Sequence, residues 1–241
     1  MPSIKKIARI NIKKTLNFGI KKFCPICASH IRSFNPYGVN KRPNAVCPIC
    51  FSLERHRLMW LYFRQETDLF QQSPKKMLHI APEACFMDRF SSLSHLDYLP
   101  GDLDKPGIPV VDLTEIDFPN NHFDIVYCSH VLEHVPNDIQ AMKELARVVK
   151  SSGWAILQVP IVGDYTQEDL SITNPTERAR LYGQPDHVRQ YGKDYKDRLE
   201  EAGFQVQVIP YLSHFTDQES EQYGFGTDNH DIYLCRSLAH S

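Results

Sequence analysis

Phe123-Asp124-Ile125-Val126-Tyr127-Cys128-Ser129 is a nearly unbroken apolar run, and His130-Val131-Leu132-Glu133-His134-Val135 follows it directly. A run of this length without alternation suits a strand buried on both faces, the central position of a parallel sheet. Downstream, Ile139, Met142, Leu145, Ala146 and Val149 recur at helical spacing over residues 138–150, and Ser151-Ser152-Gly153 marks the stop. Residues 154–161 form the next apolar run and the next expected strand. Upstream, 77–81 reads as a strand ended by Pro82, 83–93 as a helix, 96–99 as a strand closed by Pro100-Gly101, and 110–112 as a short strand. Beyond an irregular insert at 162–191, residues 194–202 read as a helix ended by Gly203. Residues 204–209 and 231–235 are the last two strands. Short strands alternating with helices predict an α/β fold built on a mostly parallel sheet.

The rest of the composition sets bounds on that domain. A chain of 241 residues, 42% hydrophobic and 23% charged, has room for one large domain and a small module. Such a composition excludes a disordered, collagen-like or disulfide-dense protein. No apolar run approaches the ~18–20 residues that span a bilayer. Lysines and Arg9 break up the first 23 residues, so no secretory core is present. The expectation is a soluble, cytoplasmic protein with no transmembrane segment. The net charge of −2 hides a split: residues 1–60 hold 12 Lys/Arg against the single acid Glu54, and the remainder is acidic. A basic end of this kind suits nucleic acid or an anionic surface, or is simply a solvated tail. Ile4, Ile7, Ile10, Ile12, Leu16, Phe18 and Ile20 lie among those lysines in an imperfect apolar arc. That pattern fits a membrane-surface helix as well as a plain arm.

Four of the seven cysteines fall in a pattern, Cys24-Pro25-Ile26-Cys27 and then Cys47-Pro48-Ile49-Cys50. Two Cys-x₂-Cys turns at this spacing supply a closed tetrahedral shell of sulfur, which reads as structural Zn²⁺ in a small ribbon. Without export signals a disulfide framework has no support. Between the turns, Ser33-Phe34-Asn35-Pro36-Tyr37-Gly38 reads as strand and turn, followed by Lys41 and Arg42. Aromatic and basic residues together could hold a nucleic acid, or could pack the ribbon. Cys85, Cys128 and Cys235 read as buried small apolar residues. Residues 53–63 read as an amphipathic helix. The expected organisation is a basic arm at 1–23, a zinc ribbon at 24–52, a linker helix at 53–74 and an α/β domain at 75–241.

Residues 96–161 resemble the class I S-adenosylmethionine-dependent methyltransferases of the type 11 branch. The resemblance rests on Gly101-Asp102, on Asp112-Leu113-Thr114-Glu115-Ile116-Asp117-Phe118-Pro119, and on Phe123-Asp124-Ile125-Val126. It continues through His130-Val131-Leu132-Glu133-His134-Val135 and Glu144-Leu145-Ala146-Arg147-Val148-Val149-Lys150 to Gly153-Trp154. The zinc turns, His79-Ile80-Ala81-Pro82-Glu83 and Asp186-His187-Val188-Arg189-Gln190-Tyr191-Gly192 are similar to uncharacterised bacterial proteins of that type. The resemblance implies a Rossmann-like sheet of seven strands, the last antiparallel, with helices on both faces. It also implies S-adenosyl-L-methionine as cofactor.

In such sheets the ligand sits beyond the carboxyl ends of the strands. There Asp102, with Asp104 beside it, is expected to accept the ribose hydroxyls. The resemblance implies that Asp112 and Leu113 flank the adenine; Ser129 and His130 at the end of the next strand are expected to wall the pocket, with His130 also a candidate catalytic residue. The family's glycine-rich turn after the first strand is replaced here by His79, Ala81, Pro82 and Glu83, with Glu83 expected to meet the cofactor's ammonium. In the insert, His187 with Asp186 could act as a general base. Arg189 and Tyr191 could hold the acceptor, with Thr166, Glu168 and Asp169 in the same lid. The alternative for these residues is a polar network that only orders the loop. His130 and His134 also satisfy the H-x-x-E-H spacing of a metallopeptidase, without an evident third ligand. Three functions follow: a methyltransferase acting on an O or N nucleophile, a non-catalytic zinc-ribbon protein whose methyltransferase-like fold has lost its cofactor, and an RNA methyltransferase guided by its ribbon.

Overall fold

The computed structural model describes residues 4–38, 41–226 and 231–238, with side chains of the first helix from Arg9 onward. Ile4 and Ile7 of the apolar arc therefore lie outside the described side chains. The first elements are α1 (Ile4–Asn17), β1 (Lys22–Cys24), β2 (Ser29–Ile31), β3 (Asn35–Tyr37), β4 (Arg42–Val46) and α2 (Glu54–Gln65). Next come β5 (Lys75–Ile80), α3 (Ala84–Phe90), β6 (Leu96–Gly101), β7 (Phe123–Ser129), α4 (Asp138–Val148) and β8 (Val149–Gln158). The chain continues through β9 (Gln167–Glu168), α5 (Pro175–Tyr182), β10 (Arg189–Gln190), α6 (Tyr195–Glu201), β11 (Phe204–Ile209), α7 (Asp217–Tyr223) and β12 (Ile232–Ser237). These elements form two compact units. One gathers the chain up to Gln71 with Ala84–Asp88 and Pro210–Asp231; the other gathers Gln72–Glu83, Arg89–Ile209 and the chain from Ile232 on.

The second unit is built on a six-stranded sheet in the order β6-β5-β7-β8-β12-β11. The first four strands are parallel, and β12 runs antiparallel to both neighbours. β7 lies in the middle, as its unbroken apolar text requires, with Ile125, Val126, Tyr127 and Cys128 buried on alternating faces. One face carries Leu78, Ile80, Val126, Cys128 and Leu157 against Ala141, Met142 and Leu145 of α4 and Leu199 of α6. The apolar spacing of α4 is what turns those residues inward. On the other face, Phe90 at the end of α3 meets the rings of His79 and Tyr98.

Three details depart from the sequence expectation. Among the described residues the sheet has six strands, because 110–112 is reduced to a single parallel bridge between Asp102 and Val110. Only two hydrogen bonds form there: Asp102 N donates to the Pro109 carbonyl, and Val111 N to that of Asp102. Pro109 has no N–H to extend the ladder, and Asp112 turns its carboxylate to Thr114. Second, β8 begins at Val149, ahead of the expected stop at Ser151-Ser152-Gly153. Val149 pairs with Phe123 and Trp154 with Ile125, so residues 150–153 form a bulge within the strand. Gly153 sits where a Cβ would come 2.5 Å from the Asp124 carbonyl, so its role is close approach rather than helix termination. Third, the insert is ordered by α5 and the small β9–β10 ribbon. Asn174 caps α5 by accepting from the N–H groups of Thr176 and Glu177, Pro175 opens it, and Gly183 closes it in the left-handed region.

In the first unit, hairpins β1–β2 and β3–β4 carry the cysteine turns. Helix α2 is buried on nearly every side from His56 to Phe63, rather than along one stripe as expected. Its Trp60 ring packs against Phe70 and Phe86. Arg57 is fully buried with its guanidinium 3.8 Å from the Phe34 ring centroid. It donates to the carbonyls of Asn44, Ala45, Ser52, Tyr223 and Gly224, tying the second cysteine turn to the end of α7. Cys85, Cys128 and Cys235 are buried, as expected. On α1 and just after it, Ile12, Leu16, Phe18 and Ile20 are exposed. No described helix is long and apolar enough to cross a membrane.

Candidate functional site

The carboxyl ends of β5, β6 and β7 place most of the expected site residues on one rim. β5 ends at Ile80, and Ala81 then adopts φ +47. That left-handed conformation is ordinarily glycine's, and alanine takes it at a cost of roughly 1–2 kcal/mol. The chain thus makes a glycine-type turn without a glycine, anchored by Ala81 N donating to the Gly101 carbonyl at 2.8 Å. A second non-glycine residue, His130, adopts φ +56 directly after the neighbouring strand β7, with its N–H on the Gln158 carbonyl. Strained backbone at the ends of two adjacent parallel strands is the kind of geometry that functional rims retain.

Beneath that rim lies a polar relay. His79 is fully buried; its Nε2 meets Glu83 at 2.7 Å and its Nδ1 meets the Tyr98 hydroxyl at 2.9 Å. The Tyr127 hydroxyl donates to the other Glu83 oxygen at 3.4 Å. The Glu83 carboxylate is therefore oriented from both sides while its side chain stays 16% exposed. Burial and the nearby Glu83 charge push the Tyr98 phenol well above its ordinary value. Tyr98 and Tyr127 carried no separate signal in the sequence; their place follows from pairing Tyr98 with Met77 and Tyr127 with His79 across β6, β5 and β7.

Asp102 follows β6 and accepts the N–H groups of Asp104 and Lys105 with Oδ1, which curls the loop. Lys105 Nζ in turn donates to the Pro82 carbonyl at 3.0 Å, closing a link between the two turns of the rim. Pro82 is buried and Asp104 exposed. Asp112 is exposed and accepts from both the N–H and the hydroxyl of Thr114. Those two hydrogen bonds hold its carboxyl below the ordinary range. Leu113 is buried beside it, as is Ser129 at the end of β7.

The insert residues are brought together differently from the expected arrangement. Asp186 stands 3.3 Å from His134 Nδ1, so its partner there is His134 rather than its chain neighbour His187. His187 is buried, with Nδ1 on the Tyr182 carbonyl at 2.9 Å. Burial holds its imidazole below the ordinary value. Glu133, His134 and His187 converge, with ligand-type atoms all within 4.8 Å of one another. His130 and His134 do not share an α-helical face: the chain turns at His130 and then makes a single 3₁₀ turn over Leu132–His134.

Arg189 and Tyr191, expected to hold an acceptor, are fully buried and engaged within the domain. Arg189 donates to the carbonyls of Leu132, Val135 and Pro136 and pairs with Glu168. The Tyr191 hydroxyl donates to Asp138, which Arg198 also grips. These contacts make the two residues a fastening between the insert and the turn after β7, the loop-ordering alternative for this segment. Thr166 instead joins the insert to the start of α6, donating to Asp194 and accepting from the Gly192 N–H, while Asp169 caps its own turn at Ser171.

In the first unit, Cys24, Cys27, Cys47 and Cys50 bring their four sulfurs within 4.8 Å of one another. The Cys24–Cys50 separation is 3.6 Å and the Cys27–Cys47 separation 3.8 Å. A tetrahedron with arms of about 2.3 Å has edges of about 3.8 Å, so the cluster has the size of a sulfur shell around zinc. Arg42, with Lys41 the basic feature between the turns, is paired with Glu54 at 3.2 Å.

Residues 86–157 match the family model described as a methyltransferase domain, a span that runs from α3 through the bulged strand β8. Over that stretch the chain is similar to a methyltransferase domain. No curated protein matches the sequence. Among solved structures, the chain is similar to an S-adenosylmethionine-dependent methyltransferase of Archaeoglobus fulgidus. The identity is 16% and the TM-score 0.49, covering 76% of this chain and 94% of that one. The YcgJ protein of Bacillus subtilis gives 17% identity and a TM-score of 0.48, with 76% and 98% covered. A putative methyltransferase of Bacillus halodurans gives 16% and 0.43, with 76% and 93% covered.

Proposed function

We propose that the chain is an S-adenosylmethionine-dependent methyltransferase acting on an O or N nucleophile, with a structural zinc held by Cys24, Cys27, Cys47 and Cys50. The observation that carries the reading is the methyltransferase match over 86–157, which ends its strands on the rim where Ala81, Asp102 and His130 lie. The donor set there suits the cofactor. Glu83, oriented by His79 and Tyr127, would receive its ammonium. Asp102 keeps Oδ2 for the ribose hydroxyls while Oδ1 holds the loop. Asp112 and Leu113 would flank the adenine, and Ser129 and His130 the reacting end. The left-handed Ala81 supports this fit, since it bends the chain away after β5 as a glycine would.

The cofactor, when bound, supplies a methyl group on a positively charged sulfur. The chain's task is then to align the nucleophile with that methyl and to keep water out. The basic N-terminal 60 residues would bring any phosphate-bearing polymer or anionic surface, with steep salt dependence. A sulfur shell as tight as the cysteine cluster supports the zinc reading, because four thiolates at these distances repel one another unless a cation neutralises them.

A second reading has its own observation. Glu83 already has partners in His79 and Tyr127, as expected of a methyltransferase-like fold that no longer takes the cofactor. Calorimetry with S-adenosylhomocysteine separates the two. Binding by the wild type, weakened about 10–150-fold in Asp102→Ala by loss of a charge-assisted hydrogen bond of roughly 1.5–3 kcal/mol, supports the enzyme. No heat and no thermal shift at millimolar ligand support the non-catalytic protein.

A further inference from the structure

Glu133 is a buried carboxylate, 1% exposed, and neither oxygen has a hydrogen-bond partner among the described residues. His130 Nδ1 stands 3.4 Å from Oε1 without completing a hydrogen bond. An ionised carboxylate left this way costs several kcal/mol unless a positive charge faces it. The second orphan is beside it: His187 Nε2 is also buried and without a partner. Both residues belong to the cluster in which Glu133, His134 and His187 bring ligand-type atoms within 4.8 Å of one another.

The surroundings prepare these three side chains to receive a cation. His187 donates Nδ1–H to the Tyr182 carbonyl, which leaves the lone pair on Nε2. Asp186 stands at His134 Nδ1, which likewise leaves Nε2 as the outward donor. A histidine whose second nitrogen is held by a carbonyl or carboxylate is the usual form of a metal ligand. The rings of His134 and His187 pack edge to face at 4.7 Å, so their mutual placement is constrained. Val188 N donates to the Glu133 carbonyl at 3.0 Å, and Arg189 grips the carbonyls of Leu132, Val135 and Pro136 on either side of Glu133 and His134.

We propose that Glu133, His134 and His187 bind one divalent first-row transition-metal ion, separate from the tetracysteine cluster. Two imidazoles and one carboxylate select zinc, iron, manganese or cobalt over magnesium and calcium, which prefer all-oxygen sites. Three protein ligands leave coordination positions for water or an oxygen of a bound molecule, unlike the closed sulfur shell. The H-x-x-E-H spacing thus contributes its Glu133 and His134 but not its His130. The third ligand comes from the insert. The site does not depend on the methyl-transfer reading, and S-adenosylhomocysteine calorimetry and metal binding report on them separately.

Cobalt(II) titration of the full chain tests it. Cobalt bound by thiolates absorbs strongly through sulfur-to-metal charge transfer, whereas cobalt on nitrogen and oxygen does not. Total bound cobalt, measured after desalting, therefore divides into two classes. The expected result is about one cobalt per chain bound without thiolate absorption. That class should be lost in Glu133→Gln and in His187→Gln, with the thiolate band unchanged and the melting of the second unit, followed by Trp154 fluorescence in a Trp60→Phe background, as the control for folding. Asp186→Asn should weaken it about 10–100-fold, the effect of removing an outer-shell partner. Wild type without the non-thiolate class overturns the proposal, as does its full retention in both Glu133→Gln and His187→Gln.

Discussion

Replacing Arg189 with methionine should destabilise the second unit more than any exposed substitution. The side chain is fully buried and its guanidinium reaches three backbone carbonyls and the Glu168 carboxylate, with Asp138 at 3.6 Å. Methionine conserves much of the volume, so cavity formation is a small part of the effect. The acceptors fare unequally. Asp138 keeps Arg198 and the Tyr191 hydroxyl, the buried Leu132 carbonyl loses its charged donor, and the Val135 and Pro136 carbonyls, in a turn open to solvent, exchange the arginine for water. The lost donor to one buried carbonyl at about 1–3 kcal/mol, together with the lost charge-assisted pair to the partly exposed Glu168 at about 2 kcal/mol, gives a loss of roughly 3–5 kcal/mol. For a unit of this size that is a fall in Tm of about 6–20 °C. Trp154 lies in the second unit and Trp60 in the first, so fluorescence in a Trp60→Phe background follows the second unit alone. Arg189→Lys should fall between, because an ammonium keeps the charge but not the planar fork. A Tm within about 2 °C of the parent for Arg189→Met would refute the reasoning, since losses that small belong to surface positions.

The other expectations are simpler. Cys47→Ser should lose the zinc found by metal analysis, about one ion per chain, and unfold the ribbon with it; zinc retained at parent stoichiometry would contradict the shared shell. At Ala81, glycine should be tolerated within about 1 kcal/mol and valine should cost more than about 2 kcal/mol, because the left-handed turn penalises a β-branched side chain; equal melting curves for both would remove the strain from the rim. Glu144 accepts from Arg147 and from the N–H of Ile116, and the arginine holds its carboxyl below the ordinary value. The folded state thus favours the ionised form, so its contribution is complete at neutral pH. It should fade as pH falls from the unfolded carboxylate's range through the lower folded value. Glu144→Gln should flatten that acid limb of the stability profile, which urea titrations between pH 3 and 7 would measure.

Much of the α/β domain is legible in the sequence. The apolar text of 123–129 has only one comfortable position, between two strands and under helices on the carboxyl side, and β7 occupies it. The Cys-x₂-Cys turns were equally readable, because a local loop of fixed length sets where two sulfurs point. The bulge at 150–153 was not, since Gly153 reads as a helix stop locally and is needed only because the Asp124 carbonyl lies against it. The helix in the insert left a signal, Asn174-Pro175 at one end and Gly183 at the other, that periodicity alone passes over.

Composition and spacing by themselves determined the class of sheet, the acids at its carboxyl edge and the tetracysteine turns, because each depends on neighbours within a few residues along the chain. Tertiary structure alone decided the rest. It gave Ala81 the conformation of a glycine, assigned Asp186 to His134, buried Arg189 under the turn it fastens, and brought His187 against Glu133. Such pairings join segments far apart in sequence, and hydrogen-bond geometry and burial, which no local pattern encodes, choose among the partners.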